Sequence, residues 1–542
     1  MRSTMQDVPL TISSIMRHGT TVYGDSQIVT FDGERTRKAS YAEIGARAGK
    51  LANALRGLGI RGDQRVATFQ WNNQEHFEAY CAIPSMGAVL HTLNIRLFPE
   101  QVVYIANHAE DQVVIVDATL LQLLGPMLGQ MSTVHTVVVV GAGDTAALSE
   151  SGKQVVGYDE LIAGESDAFA WPDIDERDAA AMCYTSGTTG HPKGVVYSHR
   201  SNYLHSLAAC SPNALGLSAS DRILPIVPMF HANSWGLPYA ALMAGSDLVM
   251  PDRFLQAEPL VRLIEMEKPT FSGAVPTIWN DILHFLRANA GHDISSLRQI
   301  ICGGSAVPRG LMEAFESDFG ISIIQAWGMT ETSPLASVAR PPKSVPDEAA
   351  MDYRATQGRI VCGVEGRIVD DLGNVLPADG KAVGELEVRG SWVTGSYYKV
   401  DDPEKFDDGW LRTGDVGTLD AMGYITLTDR AKDVIKSGGE WISSVELENT
   451  LAGHPDVVEA AVVGVPDDRW QERPLAAVVL KEGTATTVGE LRVWLSERVA
   501  KWWLPERWTV IEAVPRTSVG KFDKKVIRRQ YAEGELQIQH AE

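Results

Sequence analysis

Ser186-Gly187-Thr188-Thr189-Gly190-His191-Pro192-Lys193-Gly194 lies between two apolar runs, Ala179-Ala180-Ala181-Met182-Cys183-Tyr184 before it and Val195-Val196-Tyr197 after it. Both flanks read as buried strands, so the nine residues, entered through Thr185, form the loop that joins them. Three glycines, three hydroxyls and one lysine crowd that loop. Glycine lets backbone N–H groups approach anionic oxygens, hydroxyls donate further bonds, and lysine supplies a point charge. A polyphosphate suits such a loop. A plain Gly/Ser turn is the alternative, and the strand flanks weaken it. Gly194 follows Lys193 where the G-x-x-x-x-G-K-[ST] pattern demands a hydroxyl, so the loop is not that of a P-loop NTPase.

Outward from this loop, helical and strand-like patterns alternate. Tyr41 to Leu58 carries apolar residues at helical spacing and stops at Gly59. Arg65-Val66-Ala67-Thr68-Phe69 reads as a strand, Gln74 to Met86 as a helix, and Val113 to Val116 and Val134 to Val140 as buried strands. The alternation predicts an α/β fold with parallel sheets. From about Gly358 to Tyr424 short strands and tight turns take over, which predicts a small β-rich subdomain. After Asp429 a separate mix begins: a helix near Ser444 to Leu451, strands at Val457 to Val465 and Leu475 to Leu480, and a helix at Val488 to Val499. The expected organisation is a large N-terminal domain of layered α/β subdomains, 1–429, with the β-rich part at about 358–424. A small α+β C-terminal domain, 430–542, completes the chain.

At 542 residues the chain exceeds a single core, and 44% hydrophobic with 22% charged residues is a soluble globular balance. A net charge of −21 argues against a nucleic-acid surface. From Arg430 onward 16 basic residues face 18 acidic ones, so nearly all the negative charge sits earlier. The tail is locally basic at Lys521-Phe522-Asp523-Lys524-Lys525 and Arg528-Arg529, either a solvated face or a segment that visits phosphates. No apolar stretch is long enough to span a membrane, and the first residues show no signal-peptide pattern. Cys81, Cys183, Cys210, Cys302 and Cys362 are scattered beside apolar residues without metal-ligand spacing, which predicts reduced core thiols and a cytoplasmic chain.

Five further segments share the loop's character. Met229-Phe230-His231-Ala232-Asn233-Ser234-Trp235 sets a histidine and aromatics after an apolar run; a satisfied core histidine and a ligand pocket are equal alternatives. Cys302-Gly303-Gly304-Ser305-Ala306-Val307-Pro308 is a strand-to-helix turn where backbone approaches a flat ligand. Gln325-Ala326-Trp327-Gly328-Met329-Thr330-Glu331-Thr332 joins an aromatic, core or stacking, to oxygen donors of the kind Mg²⁺ prefers. Trp410-Leu411-Arg412-Thr413-Gly414-Asp415 ends a strand in an acceptor for ribose hydroxyls. Pro515-Arg516-Thr517-Ser518-Val519-Gly520-Lys521 carries a lysine on a glycine-containing loop.

In this order the six segments resemble the adenylate-forming superfamily, which includes acyl-CoA synthetases, peptide-synthetase adenylation domains and luciferases. The match runs over essentially the whole chain. Asp429-Arg430-Ala431-Lys432-Asp433-Val434-Ile435-Lys436 followed by Ser437-Gly438-Gly439-Glu440 is similar to the family's domain junction. Within the family the chain looks most like short- and medium-chain acyl-CoA ligases. The opening Ser3 to Leu10 and the His231/Trp235 pair resemble those acting on the thioether acid 3-methylmercaptopropionate.

The resemblance implies ATP, Mg²⁺ and coenzyme A, a small carboxylic acid as substrate, a mobile C-terminal domain and a homodimer. It assigns Lys521 to bridge carboxylate and α-phosphate, with Glu331 and His231 as further catalytic positions. Thr185, Ser186, Gly187, Thr188, Thr189, Gly190 and Lys193 would hold phosphates. Glu331 and Thr188 would hold Mg²⁺. Gly304, Ser305, Ala326, Trp327, Gly328, Met329 and Thr330 would line the adenine side, with Trp327 stacking where many relatives use Tyr, and Asp415 and Arg430 would fix the ribose. Lys432 sits at the hinge position, and Lys436, Gly438, Gly439, Glu440 and Trp441 at the segment presented for the thiol step. His231, Trp235, Gly303, Val307 and Pro334 would line the acyl pocket. A bulky Trp235 truncates the acids admitted; an ordinary buried Trp is the alternative. Charging of a carrier-protein thiol, a luciferase-like oxygenation and a non-enzymatic scaffold are the competing functions.

Overall fold

The computed structural model describes residues 1–541 apart from 186–190, 371, 431–432, 434, 438–439, 468 and 517–521. The chain divides into two units: Met1–Glu365 with Arg389–Leu411, and Gly366–Val388 with Arg412–Glu542.

Two sheets organise the first unit. One runs Gln154–Gly157, Thr136–Val140, Asp111–Asp117, Arg65–Phe69, Val89–Thr92, Ala179–Tyr184, Gly194–Ser198. Its pairs are parallel except the last, where the predicted phosphate-loop flanks return antiparallel. In the other, Ser322–Gly328, Gln299–Cys302, Phe271–Ala274, Arg222–Pro225, Asp247–Met250 and Gln27–Phe31 are neighbours in parallel register. These strands are rich in Ile and Val and nearly all buried, as sheets covered on both faces require. The helices obey their caps. Ser40 and Glu43 form a reciprocal capping box for Tyr41–Gly57, and the Asn73 side chain accepts from His76 N to start Gln74–Ser85. Trp279, Phe315 and Ile300 anchor the core beside the second sheet.

In the second unit Asp415–Leu419, the later part of the strand Trp410–Leu419, pairs antiparallel with Tyr424–Arg430. Further along the chain, Val457–Asp467 and Gln471–Leu480 form a long antiparallel ribbon, with Arg507–Val510 parallel to the latter. Helices Ser444–Ala452 and Val488–Ser496 contribute to a core that includes Trp508. This unit takes in part of the β-rich stretch as well as the α+β residues beyond Asp429.

Gly358–Ile360 is a short strand, as expected there, and pairs antiparallel with Leu335–Val338. The sequence reading differs from the structure at two places. The strand expected to stop at Asp415 continues to Leu419, since Val416 and Leu419 are also core residues and a register shift between Val416 and Gly417 absorbs the irregularity. Cys81, Cys183 and Cys302 are buried free thiols as expected, but Cys362 is exposed, in the turn between two strands.

Candidate active site

Where Arg222–Pro225, Phe271–Ala274, Gln299–Cys302 and Ser322–Gly328 end, four loops leave the same carboxyl edge of the sheet. Open α/β sheets bind ligands at that edge. The loops carry His231 and Trp235, the Val275 turn, Gly303–Pro308, and Met329–Glu331.

At the phosphate-loop stem Thr185 N donates to Lys193 O at 2.9 Å, and Lys193 N donates to Thr185 Oγ1 at 3.2 Å. Ser186, Gly187, Thr188, Thr189 and Gly190 lie outside the described residues. Lys193 Nζ is ion-paired with Asp402 and sits 5.0 Å from the centre of the Tyr397 ring. The Tyr397 hydroxyl donates to Glu331 Oε1 at 2.6 Å, and burial together with that carboxylate raises the phenol well above its usual range. Glu331 is buried, on a turn closed by the Thr332 hydroxyl, which accepts from Met329 N at 3.0 Å. Tyr197 Oη donates to Thr330 O at 2.7 Å, and Thr394 N donates to Glu331 O at 2.8 Å. Loop lysine and buried carboxylate are thus joined through one tyrosine. Among the described residues no cluster of three or more His, Cys, Asp or Glu is poised for a metal. Mg²⁺ needs none, because one or two carboxylates with substrate phosphates and water suffice, and Glu331 fits that donor set.

The acyl-pocket candidates sit at the ends of neighbouring strands. A Cβ added to Gly303 would lie 3.6 Å from the Trp235 ring and 2.6 Å from Ala326 O; one on Gly273 would lie 3.8 Å from the same ring. Trp235 therefore lies against the ends of two neighbouring strands, and at Gly303 a side chain would also collide with Ala326 O. Val307 N donates to Gln325 Oε1 at 2.6 Å. Pro334 accepts at its carbonyl from the Thr332 hydroxyl, and the next amide, Leu335 N, donates to His205 Nε2 at 3.1 Å. Burial lowers the His205 imidazole to about 4, which keeps that nitrogen an acceptor at neutral pH. Gly304, with φ of +83°, and Ser305 are exposed at the turn, whereas Ala326, Trp327 and Gly328 close the strand Ser322–Gly328, with Trp327 only 9% exposed. His231 is half-buried, and its amide donates to Pro228 O at 3.1 Å. A cavity of about 550 Å³ lies beside Tyr397; its wall includes Ser198, Ser333 and Thr394 but none of the acyl-pocket candidates His231, Trp235 and Gly303.

Between His231 and the helix Leu237–Ala244 the backbone makes one left-handed turn. Ala232, Asn233, Ser234, Trp235 and Gly236 have φ of 42°, 50°, 51°, 56° and 74°. For L-residues this costs roughly 1–2 kcal/mol each, so packing must hold it. Asn233 Oδ1 accepts from the Cys183 thiol at 2.6 Å and from Thr92 Oγ1 at 3.3 Å. Burial pushes the Cys183 thiol up to about 11, so it stays a neutral donor. Gly236 is forced, since a Cβ there would lie 2.6 Å from the His205 ring.

In the second unit Asp415 is buried and stands opposite Arg430 in the register of the antiparallel pair. Lys436 and Trp441 are opposite one another in the hairpin of Ile435–Ser437 with Glu440–Ile442. Gly438, Gly439 and Lys432 lie outside the described residues, as do the side chains of Arg430, Lys436, Glu440 and Trp441. Lys521 also lies outside them; the ends of its loop are tied by the bridge Arg516–Phe522 and by Asp523 N donating to Pro515 O at 2.7 Å. Sequence reasoning did not single out Tyr397, Asp402, Thr92 or Cys183 as partners of these candidates. The run Gly395-Ser396-Tyr397-Tyr398 was a signal, but nothing local says which tyrosine turns inward.

The sequence pattern of the AMP-binding enzyme family matches residues 17–398, and that of the AMP-binding enzyme C-terminal domain matches 446–521. A 3-methylmercaptopropionyl-CoA ligase of Ruegeria pomeroyi is 45% identical, with 98% of this chain and 99% of the relative covered. A medium-chain-fatty-acid–CoA ligase of Ectopseudomonas oleovorans is 42% identical, with 97% and 96% covered. The crystal structure of the anthranilate CoA ligase AuaEII in complex with anthranoyl-AMP superposes with a TM-score of 0.86 at 27% identity, over 98% of this chain and all of that one. The chain belongs to the AMP-binding enzyme family.

Proposed function

We propose that this protein is an ATP-dependent acyl-CoA ligase. It joins a short- or medium-chain carboxylic acid, foremost 3-methylmercaptopropionate, to coenzyme A through an acyl-adenylate, releasing AMP and pyrophosphate. The observation that carries the reading is the Lys193–Tyr397–Glu331 cluster at the carboxyl edge of a parallel sheet. Its setting is a chain alike over nearly its full length to acyl-CoA ligases.

The first half-reaction brings a carboxylate against a phosphate, so it needs fixed cations and N–H donors where charge builds. Lys193 and the loop Thr185 to Gly190 bind the phosphates. Glu331, with Thr188, would hold Mg²⁺, which supplies charge neutralisation to the phosphate oxygens. Tyr397 fixes the Glu331 carboxylate, Asp415 and Arg430 orient the ribose, Trp327 stacks on adenine, and Lys521 bridges the two reacting anions. For the second half-reaction the C-terminal domain, 430–542, re-aims about Lys432 and presents the Lys436–Trp441 hairpin while coenzyme A thiolate attacks the acyl carbon. Trp235 lies across the pocket floor and limits acid length. A thioether is close in shape to a short alkyl chain, so an apolar pocket discriminates weakly between them. Homodimerisation and a cytoplasmic setting belong to the same reading.

A panel from acetate to palmitate that includes 3-methylmercaptopropionate, with free coenzyme A, tests it. The expected result is stoichiometric AMP and acyl-CoA, with kcat/KM highest for acids of about four to eight non-hydrogen chain atoms, since each methylene is worth about 1–3 kcal/mol in an apolar pocket. AMP release without a CoA thioester, or thioester only on a carrier protein, contradicts it.

A further inference from the structure

We infer that Asn72 is a positioning residue that sets acyl-chain selectivity by holding the left-handed turn beneath Trp235. The inference rests on the ligase reading and adds to it a residue remote in sequence from every segment with family character.

Past Pro225 the chain leaves its strand register. Ile226 N and Val227 N both donate to Gly273 O, at 3.1 and 3.0 Å, so the backbone bulges where the strand ends and its carbonyls turn toward Asn72. One side chain meets them. Asn72 Nδ2 donates to Pro225 O at 2.8 Å and to Val227 O at 2.9 Å, while its Oδ1 accepts from Met229 N at 2.7 Å. Both donors and one acceptor site of the amide are used, and the residue is only 3% exposed.

Asn72 is itself held through its backbone. Its carbonyl accepts from Asp252 N at 3.0 Å, and the two residues form an antiparallel bridge. Asn73, next in the chain, caps the helix Gln74–Ser85, and Tyr80 Oη within that helix donates to Met229 O at 2.5 Å. The stretch Pro225–His231 is therefore tied to Asn72 and to Tyr80 of the helix Gln74–Ser85 at four backbone atoms.

The clamp passes directly to the turn. Ser234 Oγ donates to Val227 O at 2.8 Å, the same carbonyl that Asn72 meets, so Asn72, Val227 and Ser234 form one chain of contacts ending next to Trp235. Four consecutive non-glycine residues at positive φ have a more favourable conformation to relax into once these bonds go. Relaxation would withdraw the indole from Gly273 and Gly303 and deepen the space before it.

The test uses the full-length protein with propionate, hexanoate and octanoate, measuring acid-dependent pyrophosphate exchange and the ATP KM for Asn72→Leu, Asn72→Asp and Ser234→Ala. In Asn72→Leu the octanoate-to-propionate ratio of kcat/KM should rise at least about tenfold, carried by the acid KM, with ATP KM within about twofold of the parent. Asn72→Asp keeps the acceptor for Met229 N, and Ser234→Ala removes one bond, so each should raise the ratio about threefold. Should Asn72→Leu not fold, these two decide. A uniform fall for all acids with the ratio unchanged would mean a purely structural role and overturn the inference alone. No acid-dependent exchange in the parent protein would overturn the ligase reading and this inference with it.

Discussion

Tyr397 is the residue on which two opposite charges meet. Its ring lies under the Lys193 ammonium and its hydroxyl is bonded to Glu331, while Asp402 pairs with the same lysine. A hydrogen bond to an ionised group is worth about 1.5–3 kcal/mol, and the carboxylate's direction depends on it. Tyr397→Phe keeps the ring under Lys193 and removes only that bond. ATP KM should rise roughly tenfold at fixed Mg²⁺ and be partly restored by raising Mg²⁺, while acid KM stays within about twofold. Initial-rate kinetics in ATP and Mg²⁺ check this, and an unchanged ATP KM would remove Tyr397 from the site. At this scale the sequence was legible only where chemistry is local. Lys193, Glu331 and Trp235 stand in short segments of unusual composition. Tyr397 reaches Glu331 from 66 positions away and Asn72 reaches Met229 from 157, separations that no motif contains.

At the scale of elements, the end of strand Asp111–Asp117 holds the turn that leads into Gln74–Ser85. Asp117 accepts from Trp71 N at 2.6 Å and from Asn73 Nδ2 at 3.1 Å. Burial, with Asp252 adding repulsion, raises its carboxyl to about 7, although the Trp71 amide opposes the shift. The folded protein therefore keeps a proton that the unfolded chain loses above about pH 4. This group's stabilising contribution is complete below that pH and is lost as pH rises through about 7. Thermal melts from pH 4 to 8 should fall less steeply for Asp117→Asn than for the parent, by on the order of 2–4 kcal/mol across the window. Equal slopes would place the carboxyl in its ordinary range. Most elements were legible because period and caps agree: Arg65–Phe69 coincides with its reading, and Tyr41–Gly57 is shorter by one residue. Two were not. The left-handed turn Ala232–Gly236 violates local preference and exists only through partners distant in sequence. The extension of Trp410 beyond Asp415 depends on pairing with Tyr424–Arg430, across which Gly417 alone permits close approach to Thr426 O.

For the whole molecule, the alternation of helices and strands gives the layered first unit, and the separate pattern after Asp429 gives the ribbon and helices of the second. Both units carry part of the expected chemistry: the phosphate-loop stem, Glu331 and Trp235 in one, Asp415, Arg430 and the loop closed by Arg516 and Phe522 in the other. That division is why two separable half-reactions are the central claim. The direct measurement compares both in Lys521→Ala, as acid-dependent ATP–pyrophosphate exchange and as thioester formation from supplied acyl-adenylate and coenzyme A. Exchange should fall at least ~10²-fold, as when one positioned electrostatic donor is removed, while thioester formation stays within about threefold of the parent. An equal loss in both half-reactions, or exchange left intact, would contradict the account.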